Sequence, residues 1–323
     1  MSGGTALLRT EHLKKYFSTS SGMLHAVDDV TLSIEEGKTL GVVGESGCGK
    51  STLGRTILGL TEATDGAVYF RDEDVTHLKR AQRRRLQQKM QIIFQDPFSS
   101  LNPRMSVSDL IADPLKTYRL CSSKKELQDR VFELMEFVGL DRRFAVSYPH
   151  ELDGGRRQRI GIARALALDP EFIVCDEPVS ALDVSIQAQI LNLLQDLQAQ
   201  KGLTYMFITH DLSVVKHISD DILVMYTGCM VEKSPADDLF DHPLHPYTKG
   251  LLSAIPIPDI ERNTKRILLT GEISSPIDPA PCCRFASRCP YATPECLEGQ
   301  PDYEEVLPQH FVACHHARDI NGL

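Results

Sequence analysis

The sequence predicts an α/β fold with a mainly parallel sheet covered by helices. Three observations carry that reading. The first is Gly44-Glu45-Ser46-Gly47-Cys48-Gly49-Lys50-Ser51, which follows the apolar run Thr39-Leu40-Gly41-Val42-Val43 and opens a helical pattern through Thr52, Leu53, Ile57 and Leu58. The second is a short apolar strand ending in two carboxylates, Phe172-Ile173-Val174-Cys175-Asp176-Glu177. The third is the alternation of such strands with amphipathic helices, as in parallel strands buried on both faces.

In chain order, short strands are predicted at residues 7–9, 27–34 and 40–43, with two more at 66–70 and 90–94. A helix-rich insertion follows. Ser123-Lys124-Lys125-Glu126 has the form of a capping box, and Leu127, Val131, Leu134, Met135 and Val138 then repeat at helical spacing up to Gly139. Strands and helices alternate again after that. Residues 172–175 form a strand, Ile186, Ile190, Leu193, Leu194 and Leu197 mark a helix ending at Gly202, and residues 205–208 form the next strand. Residues 222–226 and 229–232, broken at Gly228, read as a hairpin. From about residue 255 prolines become frequent (Pro256, Pro258, Pro276, Pro279, Pro281) and helical periodicity fades. This places a boundary near Asp259 and predicts a small loop-rich C-terminal region. No internal repeat is visible.

The composition narrows the function. The 323 residues give room for one large domain and a small one. With 42% hydrophobic and 24% charged residues, the chain reads as soluble and globular. A net charge of −9 gives no bulk attraction for nucleic acid. The basic run Lys79, Arg80, Arg83, Arg84 and Arg85 reads as a solvated helix face or partner contact. No apolar run approaches the roughly 18–20 residues that span a membrane, and Met1-Ser2-Gly3-Gly4 lacks a signal-peptide core. Both point to the cytoplasm.

The glycine-rich loop carries the chemistry. Its glycines let the backbone wrap around phosphates with N–H groups facing inward, and the helix behind adds partial positive charge. Lys50 can reach the β- and γ-phosphates, and the Ser51 hydroxyl can ligate Mg²⁺. Asp176, at the end of a buried strand, can hold Mg²⁺ directly or through water. The next carboxylate, Glu177, can polarise an attacking water.

Of nine cysteines, Cys48, Cys121, Cys175 and Cys229 are scattered, as expected of reduced thiols. Cys283, Cys289, Cys296 and Cys314 follow C-x5-C-x6-C-x17-C. Four thiolates can hold a [4Fe–4S] cluster or a tetrahedral zinc. The spacing is neither the usual ferredoxin run nor a tight zinc clip, so it leaves the metal open. Cys282 is a competing ligand, and His310, His315 and His316 keep zinc in play.

With these residues in hand, the chain resembles the ATPase subunits of ABC transporters over about residues 6–255. Leu152-Asp153-Gly154-Gly155-Arg156-Arg157-Gln158-Arg159 is similar to the family's signature. Gln95 matches its Q-loop glutamine, which senses Mg²⁺ and water, Asp183 in Ser180-Ala181-Leu182-Asp183 its D-loop, and His210 its switch histidine at the γ-phosphate. Phe17 matches the aromatic that stacks on adenine, with Tyr16 as fallback. The resemblance implies a RecA-like P-loop NTPase core with an antiparallel β subdomain and a helical subdomain at about 96–160. The ATPase domain would cover residues 1–258 and the cysteine-containing region 259–323. His245-Pro246-Tyr247-Thr248, Gly271-Glu272-Ile273 and the terminal cysteines resemble the oligopeptide/dipeptide importer branch, most closely its F-type second ATPase subunit.

That resemblance implies ATP and Mg²⁺ as ligands and tips the cysteines toward [4Fe–4S]. It implies a heterodimer with a second ATPase subunit, beneath two transmembrane permease subunits served by an extracytoplasmic binding protein. The location implied is the cytoplasmic face of the inner membrane. The segment from Asp96 to Arg104 would grip the permeases. The signature departs from the family pattern: Asp153 stands where the family has serine and Arg156 where it has glutamine. The family's signature serine and glycine amides contact the γ-phosphate held by the partner, so Asp153 is expected to weaken the partner's ATP site. Two other readings compete. A soluble ABC ATPase of translation or DNA repair usually has two cassettes or a long coiled coil, and this chain has one cassette and no heptads. A regulatory subunit without useful hydrolysis is opposed by intact Glu177 and His210. The cargo is left open among peptides, nickel chelates, glutathione and related solutes.

Overall fold

The computed structural model describes residues 6–96, 100–255, 267–269, 271 and 274–323. Pro97 to Ser99, the boundary near Asp259 with Pro256 and Pro258, and Glu272-Ile273 lie outside the described residues. The chain divides into two compact units: Met1–Glu35, Thr39–His77 and Phe207–Leu323, and Glu36–Lys38 with Leu78–Met206.

In the first unit, β1 (Ala6–Thr19) and β2 (Gly22–Glu35) form an antiparallel hairpin. Each is 14 residues long, well beyond the short strands expected. Val30, Leu32 and Ile34 are buried while Thr31 and Ser33 are exposed, the alternation of a strand with one face on a core. β3 (Thr39–Val43) is buried at every position, as a parallel central strand should be. β4 (Asp65–Phe70) and β5 (Glu73–Asp74) complete a four-stranded sheet in the order β2-β1-β4-β5.

The second unit opens with the helix Arg80–Lys89, which buries none of its residues, and its Arg84 guanidinium donates to the Thr117 carbonyl at 2.7 Å. β6 (Met90–Ile93) lies parallel to the fully buried β7 (Phe172–Asp176). Helices Val107–Tyr118 and Lys124–Phe137 stand between them in sequence. Ser123 caps the latter by accepting from Glu126 N–H at 3.1 Å, while the Glu126 carboxylate accepts from Ser122 N–H, one residue earlier than a full capping box requires. Gly139, with φ 64°, ends that helix in the left-handed region. Helices Gly154–Leu166 and Val184–Lys201 are N-capped by Asp153 and Asp183. β8 (Thr204–Ile208) is buried throughout.

Back in the first unit, β3 pairs parallel with β9 (Asp221–Tyr226), which turns through Gly228 into antiparallel β10 (Cys229–Pro235). The C-terminal region then adds two strands, β11 (Tyr303–Leu307) and β12 (His310–Ala313), with β12 antiparallel to β10. It shares this unit's core: Phe285 is buried edge-on against Tyr226, with centroids 5.3 Å apart, and packs beside Tyr247. Glu232, fully buried on β10, accepts from Leu244 N–H at 2.7 Å and His245 N–H at 3.0 Å, and pairs with His310 Nε2 at 2.7 Å. A buried carboxylate needs such partners.

Candidate functional site

The glycine-rich loop leaves β3 and enters the helix Lys50–Ile57 through Gly49, whose φ is 103°. A side chain there would bring Cβ to 1.9 Å from the Ala26 carbonyl oxygen, so this turn requires glycine. Lys50 is only 5% exposed. Its ammonium donates to the Gly44 and Glu45 carbonyls at 2.8 and 2.9 Å, so it lies curled across the mouth of the loop. Burial raises the Cys48 thiol, which stays protonated inside the loop. Ser46 and Gly47 stand at the exposed tip, and Ser51 and Thr52 are half-buried on the first helical turn. Glu45 is held on three sides. Its N–H donates to Tyr247 Oη at 2.9 Å, its carbonyl accepts from Lys50, and its carboxylate meets Arg288 at 2.9 and 3.1 Å.

In the same unit, Tyr16 and Phe17 separate cleanly. Tyr16 stacks on His25 at 3.8 Å and donates to Asp28, which also receives Arg284 and His25. Phe17 is 38% exposed, with the Lys15 ammonium 4.7 Å from its ring centroid. His210 is exposed between Thr209, whose N–H donates to the Val42 carbonyl, and Asp211, which caps the helix Leu212–Ile218.

The second unit holds the carboxylates. Asp176 is 1% exposed at the end of β7. Glu177 follows with φ 47°, a costly left-handed conformation for a residue with a Cβ. Gln95 Nε2 donates to Glu177 Oε2 at 3.0 Å, fixing that carboxylate from β6's far end. Asp153 accepts from Arg156 N–H at 2.8 Å and pairs with the Arg156 guanidinium at 2.6 Å. The Asp153 carboxylate and the Arg156 guanidinium thus form a half-exposed ion pair at the start of the helix Gly154–Leu166. Gly154 and Gly155 open the capped helix. A Cβ at Gly155 would lie 2.7 Å from Ile186 Cγ2, so the signature helix packs directly on the helix that Asp183 caps.

The terminal thiols lie within electrostatic reach of one another. Burial, with help from the neighbouring cysteines, pushes Cys283 and Cys314 up to about 11, and Cys289 is raised in the same way. Cys283 N–H donates to the Cys296 carbonyl at 3.0 Å. Among the described residues no group of three or more His, Cys, Asp or Glu side chains is arranged to hold a metal. His310 is taken up by Glu232, His316 meets Thr293 Oγ1 at 2.8 Å, and His315 meets the Gly299 carbonyl at 3.2 Å.

Residues 27–180 match the ABC transporter family and residues 231–296 the oligopeptide/dipeptide transporter C-terminal region. The oligopeptide transport ATP-binding protein OppF of Salmonella typhimurium is 54% identical over 93% of this chain and 90% of its own length. The chain belongs to the oligopeptide-transport ATP-binding proteins of the ABC family. OppF of Escherichia coli is 51% identical over 97% of this chain and 96% of its own, and OppF of Bacillus subtilis 53% over 95% and 96%. Among solved structures, the dimeric ABC transporter cassette MJ0796 superposes with a TM-score of 0.66 at 30% identity, covering 71% of this chain and 98% of its own. The fold is that of an ABC nucleotide-binding domain with mixed α/β sheets. Among the described residues of this family member, no helix is long and apolar enough to cross a membrane.

Sequence reasoning missed Arg288 and Tyr247 as partners of the phosphate loop. The motif His245-Pro246-Tyr247-Thr248 was the available signal for Tyr247. Arg288 stands 243 positions from Glu45 and had no signal.

Proposed function

We propose that this chain is the ATP-hydrolysing subunit that powers peptide import through an ABC transporter, seated peripherally at the cytoplasmic membrane face. The observation that carries the reading is identity of about half over nearly the full chain to proteins named for oligopeptide transport. The phosphate loop supplies the ATP site. Lys50 has three donors. Phosphate oxygens form stronger, charge-assisted bonds than the two carbonyls it now holds. Phe17 is the adenine platform, because Tyr16 is committed to Asp28 and His25. Ser51, Asp176 and Gln95 offer hard oxygen donors and would hold Mg²⁺, which when bound neutralises charge on the β- and γ-phosphates. Glu177, oriented by Gln95, polarises the attacking water, and His210 contacts the γ-phosphate.

The working assembly is a heterodimer with a second ATPase subunit, whose head-to-tail pairing would bring the signature of each subunit to the other's ATP. ATP favours the closed pair and hydrolysis reopens it, moving two permease subunits between two access states. A cleft of about 470 Å³ lined by Ile92, Phe94, Pro114 and Arg164 supports permease docking next to the Gln95 loop. An extracytoplasmic binding protein would choose the cargo, with nickel chelates or glutathione as alternatives to peptides. Asp153 makes the pair asymmetric, weakening the site on the partner's phosphate loop and leaving the site on Lys50, Asp176, Glu177 and His210 competent. Residues 259–323 form the cysteine-containing region. The resemblance supports [4Fe–4S] ligation by Cys283, Cys289, Cys296 and Cys314, with zinc as the alternative. About four irons and four sulfides per anaerobically purified chain would bear that out, and neither metal would reduce the region to thiols.

The direct test is ATP hydrolysis by the assembled transporter carrying Glu177→Gln. Loss of a positioned general base should silence this chain's site and leave only the residual turnover of the weakened partner site, and an unchanged rate would overturn the proposal.

A further inference from the structure

Arg288 stands between two of the C-terminal cysteines, in the short turn Ala286–Arg288. That turn is tied at both ends: Ala286 N–H donates to the Cys283 carbonyl at 3.0 Å and Cys289 N–H to the Ala286 carbonyl at 3.3 Å. From it the guanidinium reaches Glu45 and meets both carboxylate oxygens, at 2.9 and 3.1 Å. The Arg288 side chain is 9% exposed, so this bidentate pair is not an ordinary surface ion pair. Tyr226 Oη lies 3.5 Å from the same nitrogen. Tyr226, Tyr247 and Phe285 form one aromatic cluster beneath the turn, and Tyr247 also accepts from Glu45 N–H.

A carboxylate in a phosphate loop is an electrostatic liability, because the ligand is a polyanion. Here the carboxylate is cancelled by a residue from the far end of the chain.

We propose that Arg288 is a positioning residue of the phosphate loop, and that the C-terminal cysteine segment thereby completes the nucleoside-triphosphate site. Arg288 fixes the first turn of the loop through Glu45 and removes the charge that would repel triphosphate. Both effects raise nucleotide affinity. The inference rests on the ATP-binding reading above.

The test is binding of a fluorescent ATP analogue to the full chain at low salt. Arg288→Ala should weaken binding about tenfold, in line with a lost charge-assisted pair. Arg288→Lys should keep most of the affinity. Adding Glu45→Gln to Arg288→Ala should restore most of what was lost, which a purely structural role would not do. The difference should shrink at 1 M salt, where the screening length is about 3 Å. Arg288→Gln, which preserves side-chain bulk, serves if Arg288→Ala does not fold, with the same loss expected. Wild-type affinity in either folded variant, or no recovery on adding Glu45→Gln, overturns the inference. A wild-type chain that binds no nucleotide would defeat the ATP-binding reading instead.

Discussion

Asp153→Ser tests the asymmetry of the proposed ATPase pair. A phosphate charge 4 Å from a bare carboxylate, at an effective dielectric of about 20, meets roughly 4 kcal/mol of repulsion. Arg156 holds Asp153 at 2.6 Å. A guanidinium that much further from the phosphate returns about 2.5 kcal/mol of attraction, leaving about 1.6 kcal/mol, or about fifteenfold in rate. Both side chains are about half exposed, at 44% and 54%, so water screens the net effect further. The expectation is therefore a gain of about three- to fifteenfold at the partner's ATP site. Serine and aspartate are near-equal N-caps, so the helix Gly154–Leu166 should persist. The assay is phosphate release by the reconstituted transporter with Glu177→Gln in this chain, so that the partner's site supplies the residual turnover. An unchanged residual rate on adding Asp153→Ser would refute the asymmetry.

Four further outcomes follow from the geometry. Phe17→Ala should raise the KM for ATP about tenfold, since a base–aromatic stack contributes about 1–3 kcal/mol. Tyr16→Phe should leave KM unchanged and lower stability by about 1 kcal/mol, the hydrogen bond to Asp28 being lost. Gly155→Ala should destabilise by about 1–3 kcal/mol through overpacking on Ile186 Cγ2, with partial relief from Ile186→Ala, which removes that methyl, measured by denaturant unfolding. His245 is pushed down to about 4 by burial, and its Nδ1 accepts from Tyr247 N–H at 3.1 Å, a bond only the neutral ring makes. Its folded pKa lies below the unfolded value of 6.5, so its contribution to stability is present above pH 6.5 and is lost as pH falls toward 4. His245→Asn, which keeps a capping acceptor, should flatten the Tm profile in that window.

What the sequence made legible was local and chemically forced. A loop that must turn at Gly49, and strands such as β3 and β7 buried on both faces, leave a pattern that few other structures produce. Helix ends were legible for the same reason, with Ser123 capping through its own oxygen and Gly139 and Gly202 ending their helices in the left-handed region. What depended on distant pairing was not legible. The pairing of β12 with β10, and the burial of Glu232 against His310, join segments more than 70 positions apart in sequence. The choice between Tyr16 and Phe17 turned on Asp28, whose partners only the fold reveals. The ion pair of Asp153 and Arg156 lay three residues apart in plain view, but its geometry needed the helix.

The central claim is that ATP hydrolysis at this chain's site drives import. The most direct measurement is ATP-dependent uptake of labelled peptide into proteoliposomes holding the complete transporter, alongside phosphate release, with wild-type chain or Glu177→Gln. The account predicts that the substitution abolishes uptake and reduces hydrolysis to the residue from the weakened partner site. Uptake that continues at the wild-type rate would contradict it.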